Sequence, residues 1–287
     1  VAFGAGYESD RLIGTAVMAI RWVPDMGWEH GLYVSFFHAV SAFNNAGFSL
    51  FANNLIDYRD DPIISLTIPA LLILGGLGFT VIVDLVRNRR WRKLKLHSKL
   101  MLLMTPGLLL LGTLMFWLLE HNNPATFGNA GPGGQLMAAF FQSATARTAG
   151  FNTVDIGQMV PASLLFMMML MFIGAGATST GGGIKVTTFA VVLLATRAFL
   201  TKRPHVTAFG RTLSPQIVTR SLAIIIVSTM VLMLAMFLLM LTESQSFDKI
   251  MFETISAFAT VGLSTGITAS LSEPGKLILV LVMICGR

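Results

Sequence analysis

Three copies of a glycine motif contain the residues that could do chemistry in this sequence. Their glycines are Gly47, Gly150 and Gly262, which lie 103 and 112 residues apart, each preceded by alanine or valine and followed by phenylalanine or leucine. Glycine tolerates positive φ and keeps side chains away from its own carbonyl oxygen. Such a backbone can present carbonyl oxygens in place of an ion's hydration shell. Neutral oxygens suit a large monovalent cation better than Ca²⁺, which prefers carboxylates.

Each motif follows a semi-apolar, helix-like stretch that is too short to cross a bilayer, at residues 33–45, 135–147 and 248–259. A half-helix that stops inside the membrane directs its partial negative C-terminal end at the membrane centre, which favours a cation there. Non-helical backbone at that depth is tolerated only where it lines a water-filled cavity or is buried in protein. One such glycine alone would more often mark a turn or a helix contact. Three aligned copies in the same position predict pore loops.

Long apolar runs separate the motifs and predict the helices that hold them, since about 20 residues cross the hydrocarbon core of a membrane. The predicted spans are residues 63–86, 100–119, 161–173 continuing as 184–198, 217–241 and 275–287, with a weaker one at 11–23. Of the 287 residues, 12% are charged and 54% are hydrophobic, and the mean hydropathy is +0.73. That composition excludes a disordered, nucleic-acid-binding or soluble catalytic protein. The single cysteine, Cys285, excludes a disulfide framework.

The net charge of +6 and the sequence pI of about 9.8 come from the placement of the basic residues. Twelve of the 20 lysines and arginines lie in two connections between predicted spans, at residues 87–99 and 197–220. Under the positive-inside rule both connections are cytoplasmic. The basic residues therefore indicate orientation in a membrane, and no nucleic-acid partner is expected.

A predicted span is interrupted at residues 174–183, where five of ten residues are glycine. Each glycine in a helix costs about 1 kcal/mol relative to alanine, so a regular helix is not expected there. Irregular backbone inside a membrane must line the conduction path or be buried in protein. The alternative is a face of small residues for close helix packing, which three consecutive glycines disfavour.

The three loops and the Ser-Thr-Gly-Gly-Gly-Ile-Lys stretch together resemble the Trk/Ktr/HKT superfamily of potassium transporters, above all the bacterial Ktr and Trk membrane subunits. The resemblance implies an all-α integral membrane protein with pseudo-fourfold repeats of helix, pore half-helix and loop, and helix around a central ion pore. It also implies potassium uptake through a selectivity filter, across the inner or plasma membrane. The implied filter residues, whose backbone carbonyls would hold K⁺, are Asn45, Ala46, Gly47, Phe48, Thr148, Ala149, Gly150, Phe151, Thr260, Val261, Gly262 and Leu263.

By the same resemblance, the chain holds repeats two to four. The second repeat covers residues 1–86, the third repeat, with its broken second helix, covers residues 100–198, and the fourth repeat covers residues 217–287. A cytoplasmic basic loop at residues 87–99 and a cytoplasmic loop at residues 199–216 connect them. The last predicted span contains only about a dozen residues, which is short of the ~20 needed to cross a membrane. We therefore expect an internal fragment of a longer membrane protein, truncated in its last helix.

The resemblance further implies that the interrupted span forms an intramembrane gate loop below the filter. Its residues are Gly174, Gly176, Thr178, Ser179, Thr180, Gly181, Gly182, Gly183 and Lys185. Arg287, about 25 residues after the third glycine, corresponds to a pore-facing arginine that raises an electrostatic barrier to cations. The implied partners are a cytosolic, nucleotide-binding RCK-type ring, a second pore subunit in a homodimer and membrane lipid. No organic cofactor is expected.

Four other ionisable residues need a structural explanation. We expect Arg147 to be stabilised by the C-terminal dipole of its half-helix. Asp155 could pair with it or mark the outer mouth. Glu253 should be a buried hydrogen-bonding anchor, and His38 should be satisfied within its half-helix. For Lys185, snorkelling to the cytoplasmic surface is as reasonable as a role in the gate.

Three alternatives remain open. The first is sodium or mixed sodium and potassium transport, because the first repeat, where some plant relatives carry serine, is not in the sequence. The second is a carrier with alternating access, which also uses broken helices. The third is an integral-membrane enzyme with Ser179 as nucleophile, although such chemistry needs a base within hydrogen-bond reach.

Overall fold

The computed structural model describes residues 4–177, 179 and 181–287, with side chains from residue 10 onward. Two predicted gate residues, Thr178 and Thr180, lie outside the described residues. The described chain forms three consecutive units, each built from a long helix, a half-helix, an extended loop and a further helix. The first unit contains α1 (Gly4–Met26), α2 (Trp28–Phe43), α3 (Pro62–Leu77) and α4 (Phe79–Arg87). The second contains α5 (Leu96–Glu120), α6 (Pro132–Thr145), α7 (Pro161–Phe172) and α8 (Val186–Leu200), and the third α9 (Pro215–Thr242), α10 (Phe247–Phe258) and α11 (Glu273–Cys285).

The helices fall where the apolar runs predict them, with ends that differ by a few residues. Two helices, α5 and α9, are each long and apolar enough to cross a membrane. The pair α3 and α4 makes a third candidate span if it is counted as one. The half-helices α2, α6 and α10 have 16, 14 and 12 residues and are shorter than the ~20 that a span needs. The predicted all-α fold class is confirmed.

The predicted single span at residues 63–86 is wrong in one respect, because the chain bends by 87° between α3 and α4. The bend lies at Gly78, whose φ of +86° and ψ of 144° are not helical. Only glycine adopts such a backbone without strain. Gly75 packs one turn earlier, where a Cβ would collide with the carbonyl oxygen of Phe43 at the end of α2. The end of α3 therefore lies directly against the first half-helix.

The predicted cytoplasmic loops contact each other through a small element that the sequence did not predict. Thr207–Ala208 (β1) pairs antiparallel with Arg211–Thr212 (β2). The turn between the strands is formed by two residues with positive φ, Phe209 and Gly210, which is typical of a two-residue hairpin. The ring of Phe209 lies 6.1 Å from that of Trp91, in the loop between α4 and α5. The two basic connections thus contact each other through these rings.

A polar contact in each unit joins the outer end of the first helix to the start of the helix that follows the extended loop. In the second unit the buried carboxylate of Glu120 accepts hydrogen bonds from the Val160 amide at 2.9 Å and from Thr126 Oγ1 at 2.6 Å. In the third unit Glu243 accepts from the amide and hydroxyl of Ser272, which caps α11. In the first unit the side chain on the first helix is basic, and the acidic side chain lies at the start of α3. There Arg21 Nε donates to Asp61, the N-cap residue of α3, at 2.5 Å.

Each of the first two units needs the next unit to complete its hydrophobic core. The core of the first unit, which surrounds Trp22 and Ile68, includes Phe141, Ala149 and Phe151 from the second unit. The core of the second unit in turn includes Phe252, Ala259, Val261 and Leu263 from the third. The same relation between successive units is the pattern expected for repeats arranged around one axis.

Replacing Glu120 by alanine tests the contact in the second unit. The change leaves a buried hydroxyl and a backbone amide without their acceptor, so we expect a loss of stability on the order of 3 kcal/mol. The measurement is the thermal unfolding temperature of the purified protein in detergent. Glu273→Ala, which removes an exposed carboxylate paired with Lys276, is the matched control and should shift that temperature little. Equal shifts in the two variants would contradict the structural role of Glu120.

Candidate selectivity filter and gate

The three motif loops share an unusual backbone geometry. In each loop the motif glycine and the residue two positions before it both have positive φ. The φ values are 50° and 71° for Asn45 and Gly47, 71° and 85° for Thr148 and Gly150, and 51° and 91° for Thr260 and Gly262. Positive φ is uncommon outside glycine and is an outlier for a β-branched residue such as threonine. Because this strain costs about 1–3 kcal/mol per residue, its repetition points to a conformation that the surrounding structure holds in place.

The three glycines meet one another. A Cβ on Gly47 would collide with the carbonyl oxygen of Ala149, and a Cβ on Gly150 would collide with that of Val261. The Cβ position of Gly150 is also 3.3 Å from the Cα of Gly47, and that of Gly262 is 3.7 Å from the Cα of Gly150. The first and second loops thus each pack against the carbonyl that precedes the glycine of the following loop. The loops converge on one point, where carbonyl oxygens could surround a cation.

A hydroxyl on each half-helix fixes the carbonyl that follows the motif glycine. Ser41 Oγ donates to the carbonyl oxygen of Phe48 at 2.9 Å, and Ser256 Oγ donates to that of Leu263 at 2.7 Å. In the second unit Thr145 Oγ1 donates to the carbonyl oxygen of Phe151 at 2.5 Å. These hydroxyls are not among the residues predicted from the sequence. The available signal was a serine or threonine five or six residues before every motif glycine.

A second polar side chain, one turn earlier on each half-helix, holds the outer part of the loop. In the second unit Gln142 Nε2 donates to Thr153 Oγ1 at 3.2 Å. In the first unit His38 Nδ1 donates to the carbonyl of Val34, and Nε2 lies 3.1 Å from the hydroxyl of Ser49. His38 is fully buried, so the prediction that it is satisfied within its half-helix is confirmed and extended to the loop.

Glu253 holds the same position in the third unit and makes the most contacts. Its carboxylate accepts hydrogen bonds from the hydroxyl of Ser264 at 2.6 Å, the amide of Thr265 at 3.0 Å and the hydroxyl of Thr268 at 2.8 Å. The side chain is 5% exposed. The prediction of a buried hydrogen-bonding anchor is therefore confirmed. Each half-helix carries its anchor and its hydroxyl three residues apart, so both point to the same side.

The converging loops leave an open side between the first and the third. The residue after the glycine is buried in the second and third loops, at Phe151 and Leu263, whereas Phe48 is 70% exposed. Beside Phe48 lies a cavity of about 350 Å³ that also contacts Val261 and Gly262. Among the described residues, no backbone carbonyl lies within 4 Å of the Cβ position of Gly262, in contrast to the other two glycines. The arrangement of these loops therefore follows an arc.

The interrupted segment between α7 and α8 is tied to its surroundings by backbone hydrogen bonds. Its two ends pair with each other, since the Gly174 amide donates to the Ile184 carbonyl at 2.9 Å. The Gly176 amide donates to the carbonyl of Gly76 at the end of α3, at 3.0 Å. The Gly183 amide donates to the carbonyl of Gly286 after α11, also at 3.0 Å. These bonds connect the segment to all three units and satisfy backbone groups that have no helical partner.

The segment packs against the first residues of two filter motifs, on the side opposite the outer anchors. A Cβ on Gly181 would collide with the hydroxyl of Thr148, and a Cβ on Gly182 would collide with that of Thr260. Of the five glycines in the segment, Gly183 alone has positive φ, at 70°. The prediction of irregular backbone is confirmed, and the helix-packing alternative is wrong because the described residues of the segment are not helical. Most of these glycines are nevertheless required, because a side chain would have no space.

The charged residues near the segment have distinct environments. Lys185 is partly buried and its ammonium group donates to the carbonyl oxygen of Gly181 at 2.6 Å, so it bridges the segment instead of only reaching for the surface. Arg287 is exposed and directly follows Gly286, whose carbonyl accepts the bond from Gly183. The hydroxyl of Ser179 donates to the carbonyl of Gly176 at 2.6 Å.

Arg147 is buried at the C-terminal end of α6 and is 8% exposed. Its guanidinium lies 3.5 Å from the carbonyl oxygen of Thr105, in addition to the negative end of its own half-helix. The suggested partner Asp155 does not pair with it. The carboxylate of Asp155 instead accepts from the Gly157 amide at 2.9 Å, because it caps a short helical turn at the outer surface.

Removing the anchor of the third loop should loosen that loop. With Glu253→Ala the amide of Thr265 loses its acceptor, so its hydrogen exchange should be faster by at least about tenfold, which corresponds to ~1.4 kcal/mol. Native-state exchange followed by mass spectrometry measures this directly. Asp248→Asn, an exposed change on the same half-helix, is the control and should leave the exchange of Thr265 unaltered. Unchanged exchange in Glu253→Ala would contradict the anchoring role.

Comparison with known proteins places these features in a family. Residues 15–287 match the TrkH family, described as a cation transport protein. Two proteins named Ktr system potassium uptake protein B, from Vibrio alginolyticus and Bacillus subtilis, are 59% and 45% identical over 96% and 97% of the chain. The potassium/sodium uptake protein NtpJ of Enterococcus hirae is 37% identical over 96%.

The chain covers 61%, 63% and 62% of the length of these three relatives. A similar fold occurs in the crystal structure of the potassium transporter TrkH from Vibrio parahaemolyticus. That structure matches with a TM-score of 0.76 at 20% identity, over 96% of this chain and 60% of that one. The chain belongs to the TrkH family of cation transport proteins and to its multi-pass membrane fold.

Proposed function

We propose that this chain forms three of the four filter-bearing repeats of a potassium-uptake pore. The observation that carries the proposal is the meeting of Gly47, Gly150 and Gly262, each in a loop with the same pair of positive-φ residues. Hydroxyls of the half-helices hold the carbonyl after each glycine in place, so oxygen positions are fixed before an ion arrives. Fixed neutral oxygens at the negative ends of three half-helices favour a dehydrated monovalent cation.

The ion that we propose is K⁺, bound through the backbone carbonyls of the filter residues named above other than those that accept a hydrogen bond from a half-helix hydroxyl. Support comes from the absence of any carboxylate among those residues and from the names of two relatives, which are potassium uptake proteins. Sodium transport by the same fold remains the second candidate, because NtpJ is named a potassium/sodium uptake protein.

The fourth side of the filter would be supplied by a repeat that precedes residue 1. The open side of the arc, with exposed Phe48 and the cavity beside Val261, has the position that such a loop would fill. About two-fifths of the length of these relatives lies outside the match to this chain, which leaves room for it. In that arrangement the three units correspond to repeats two, three and four, divided as predicted from the sequence.

The interrupted segment is proposed as the gate. It lies against Thr148 and Thr260 at the inner end of the filter and hydrogen-bonds to all three units. Lys185 bridges the segment, and Arg287 next to Gly286 adds a positive charge that opposes cations at this depth. A change in these few hydrogen bonds would be sufficient to move the segment from the path.

The wider assembly is proposed from the resemblance and the charge distribution. The relatives' names refer to a Ktr system, which fits a pore subunit that pairs with a second copy and with a cytosolic RCK-type ring. The joined basic connections offer a docking surface on the cytoplasmic side. An enzymatic function is not proposed, since the Ser179 hydroxyl donates to a backbone carbonyl and not to a base.

Replacing Gly150 by serine in the full-length protein tests the filter. The side chain has no room beside the Val261 carbonyl, and φ of +85° is strained for any residue with a Cβ. We expect the preference for K⁺ over Na⁺ to fall about tenfold, which corresponds to ~1.4 kcal/mol. Ion flux into vesicles provides the measurement. Gly133→Ser, at an open position in α6, is the control; unaltered selectivity in Gly150→Ser would refute the filter assignment.

Deleting residues 175–182 tests the gate. Without the segment, nothing fills the space against Thr148 and Thr260, so K⁺ flux without a regulatory subunit should rise several-fold. Selectivity should change little because the filter loops keep their half-helix hydroxyls. Flux into vesicles, normalised to folded protein by size-exclusion chromatography, gives the comparison. A folded deletion variant that conducts no more than the intact protein would contradict the gate.

A further inference from the structure

A large apolar groove lies between α5, α7 and α8 and is used neither by the filter nor by the gate. Its volume is about 750 Å³, within the roughly 300–1,000 Å³ range of small-molecule sites. Every lining residue is apolar or glycine. Several of them are about half exposed at the groove, including Leu103, Leu111, Met169 and Leu193. The groove therefore opens sideways, towards the hydrocarbon of the membrane.

A small polar pocket lies at the cytoplasmic end of the same helix α8. Its volume is about 70 Å³, and its polar lining comes from Arg197, Thr201, Arg203, His205 and Thr207. Two arginines and the Thr207 hydroxyl around one small space suit the oxygens of a phosphate group, whereas the Thr201 hydroxyl donates to the carbonyl oxygen of Arg197. In the part of the chain that the structure describes, neither arginine forms a salt bridge. Their charges are thus available to an anion from outside the chain.

One row of side chains on α8 connects the groove to the pocket. Phe189 and Leu193 line the groove, and Arg197 and Thr201 line the pocket. These four residues are spaced four apart and lie on one side of the helix. The step from Leu193 to Arg197 is about 6 Å along the axis. An apolar slot at membrane depth is thus followed, at the cytoplasmic end, by a cationic pocket.

We infer that this composite surface binds a phospholipid with an anionic headgroup from the cytoplasmic leaflet. The phosphate would contact Arg197 and Arg203, and one acyl chain would lie in the groove against α5 and α7. The order of the two parts matches the order of headgroup and acyl chain in a lipid. The positive-inside orientation places the pocket at the leaflet that carries anionic lipid, which attracts basic residues near its surface.

The site has a direct mechanical connection to the interrupted segment. Its groove is lined by Phe172 and Ile173 immediately before the segment and by Phe189 one turn after it. A bound acyl chain would hold α7 and α8 against α5. This consequence rests on the proposed gate, but lipid binding itself does not and can be measured without any transport.

Removal of charge in the full-length protein tests the headgroup part of the site. The protein is delipidated in detergent and titrated with dioleoyl phosphatidylglycerol, and binding is measured by native mass spectrometry. For the double variant Arg197→Gln/Arg203→Gln we expect an affinity about tenfold weaker than that of the unmodified protein. The matched control Lys202→Gln/Arg211→Gln removes two charges from the same connection outside the pocket and should bind as the unmodified protein does. If both double variants lost affinity for the lipid equally, the binding would depend only on general surface charge, and the proposed site would be refuted.

The acyl half is tested by filling the groove. Gly107 lines the groove and has open space at its Cβ position, so the side chain of Gly107→Trp should extend into the groove and occupy it. Binding of phosphatidylglycerol should weaken, whereas Gly133→Trp, also at an open position but away from the groove, should not change it. Unchanged lipid binding with loss of the dimer in Gly107→Trp would assign the groove to a second copy and refute the inference. If inorganic phosphate stabilised the protein as much as the lipid does, the pocket would be a site for small anions, and the inference of a phospholipid site would also be refuted.

Discussion

The satisfaction of backbone polar groups inside a membrane is the constraint on which this structure depends. A helix satisfies its own amides and carbonyls, but a filter loop and an interrupted span cannot. The chain provides substitutes at each such place. Hydroxyls of Ser41, Thr145 and Ser256 bind the carbonyl after each motif glycine, and the interrupted segment exchanges hydrogen bonds with Gly76 and Gly286. The carbonyls left over are those that can face an ion.

The same constraint explains why the glycines cluster where they do. Where a backbone group forms its hydrogen bond outside a helix, two stretches of backbone must approach closely, and a Cβ would prevent this approach. Gly181 and Gly182 lie against filter threonines, and Gly75 lies against the end of a half-helix. Positive φ is needed at fewer positions, such as Gly78 and Gly183. Glycine thus has two separate functions in this chain, and the sequence does not distinguish between them.

Much of the architecture could be predicted from the sequence because hydrocarbon imposes a simple length rule on helices. The apolar runs, the half-helices and the three motif loops all occur where that rule and the repeat indicate. The 87° bend at Gly78 could not be predicted, since the apolar run continues through it without a change in hydropathy. The pairing suggested for Arg147 and Asp155 failed for a related reason. Distance in sequence does not reveal that one lies at membrane depth and the other caps a turn outside it.

The dependence of each hydrophobic core on the loop of the next unit has a consequence for biosynthesis. The first unit cannot close around Trp22 until Phe151 of the second unit has entered the membrane, and the second unit waits in the same way for Leu263. We therefore expect assembly to follow the order of synthesis, with each unit completed only after the next one has been inserted. The filter loops should take their observed geometry last, because Gly150 packs against the Val261 carbonyl of the third unit.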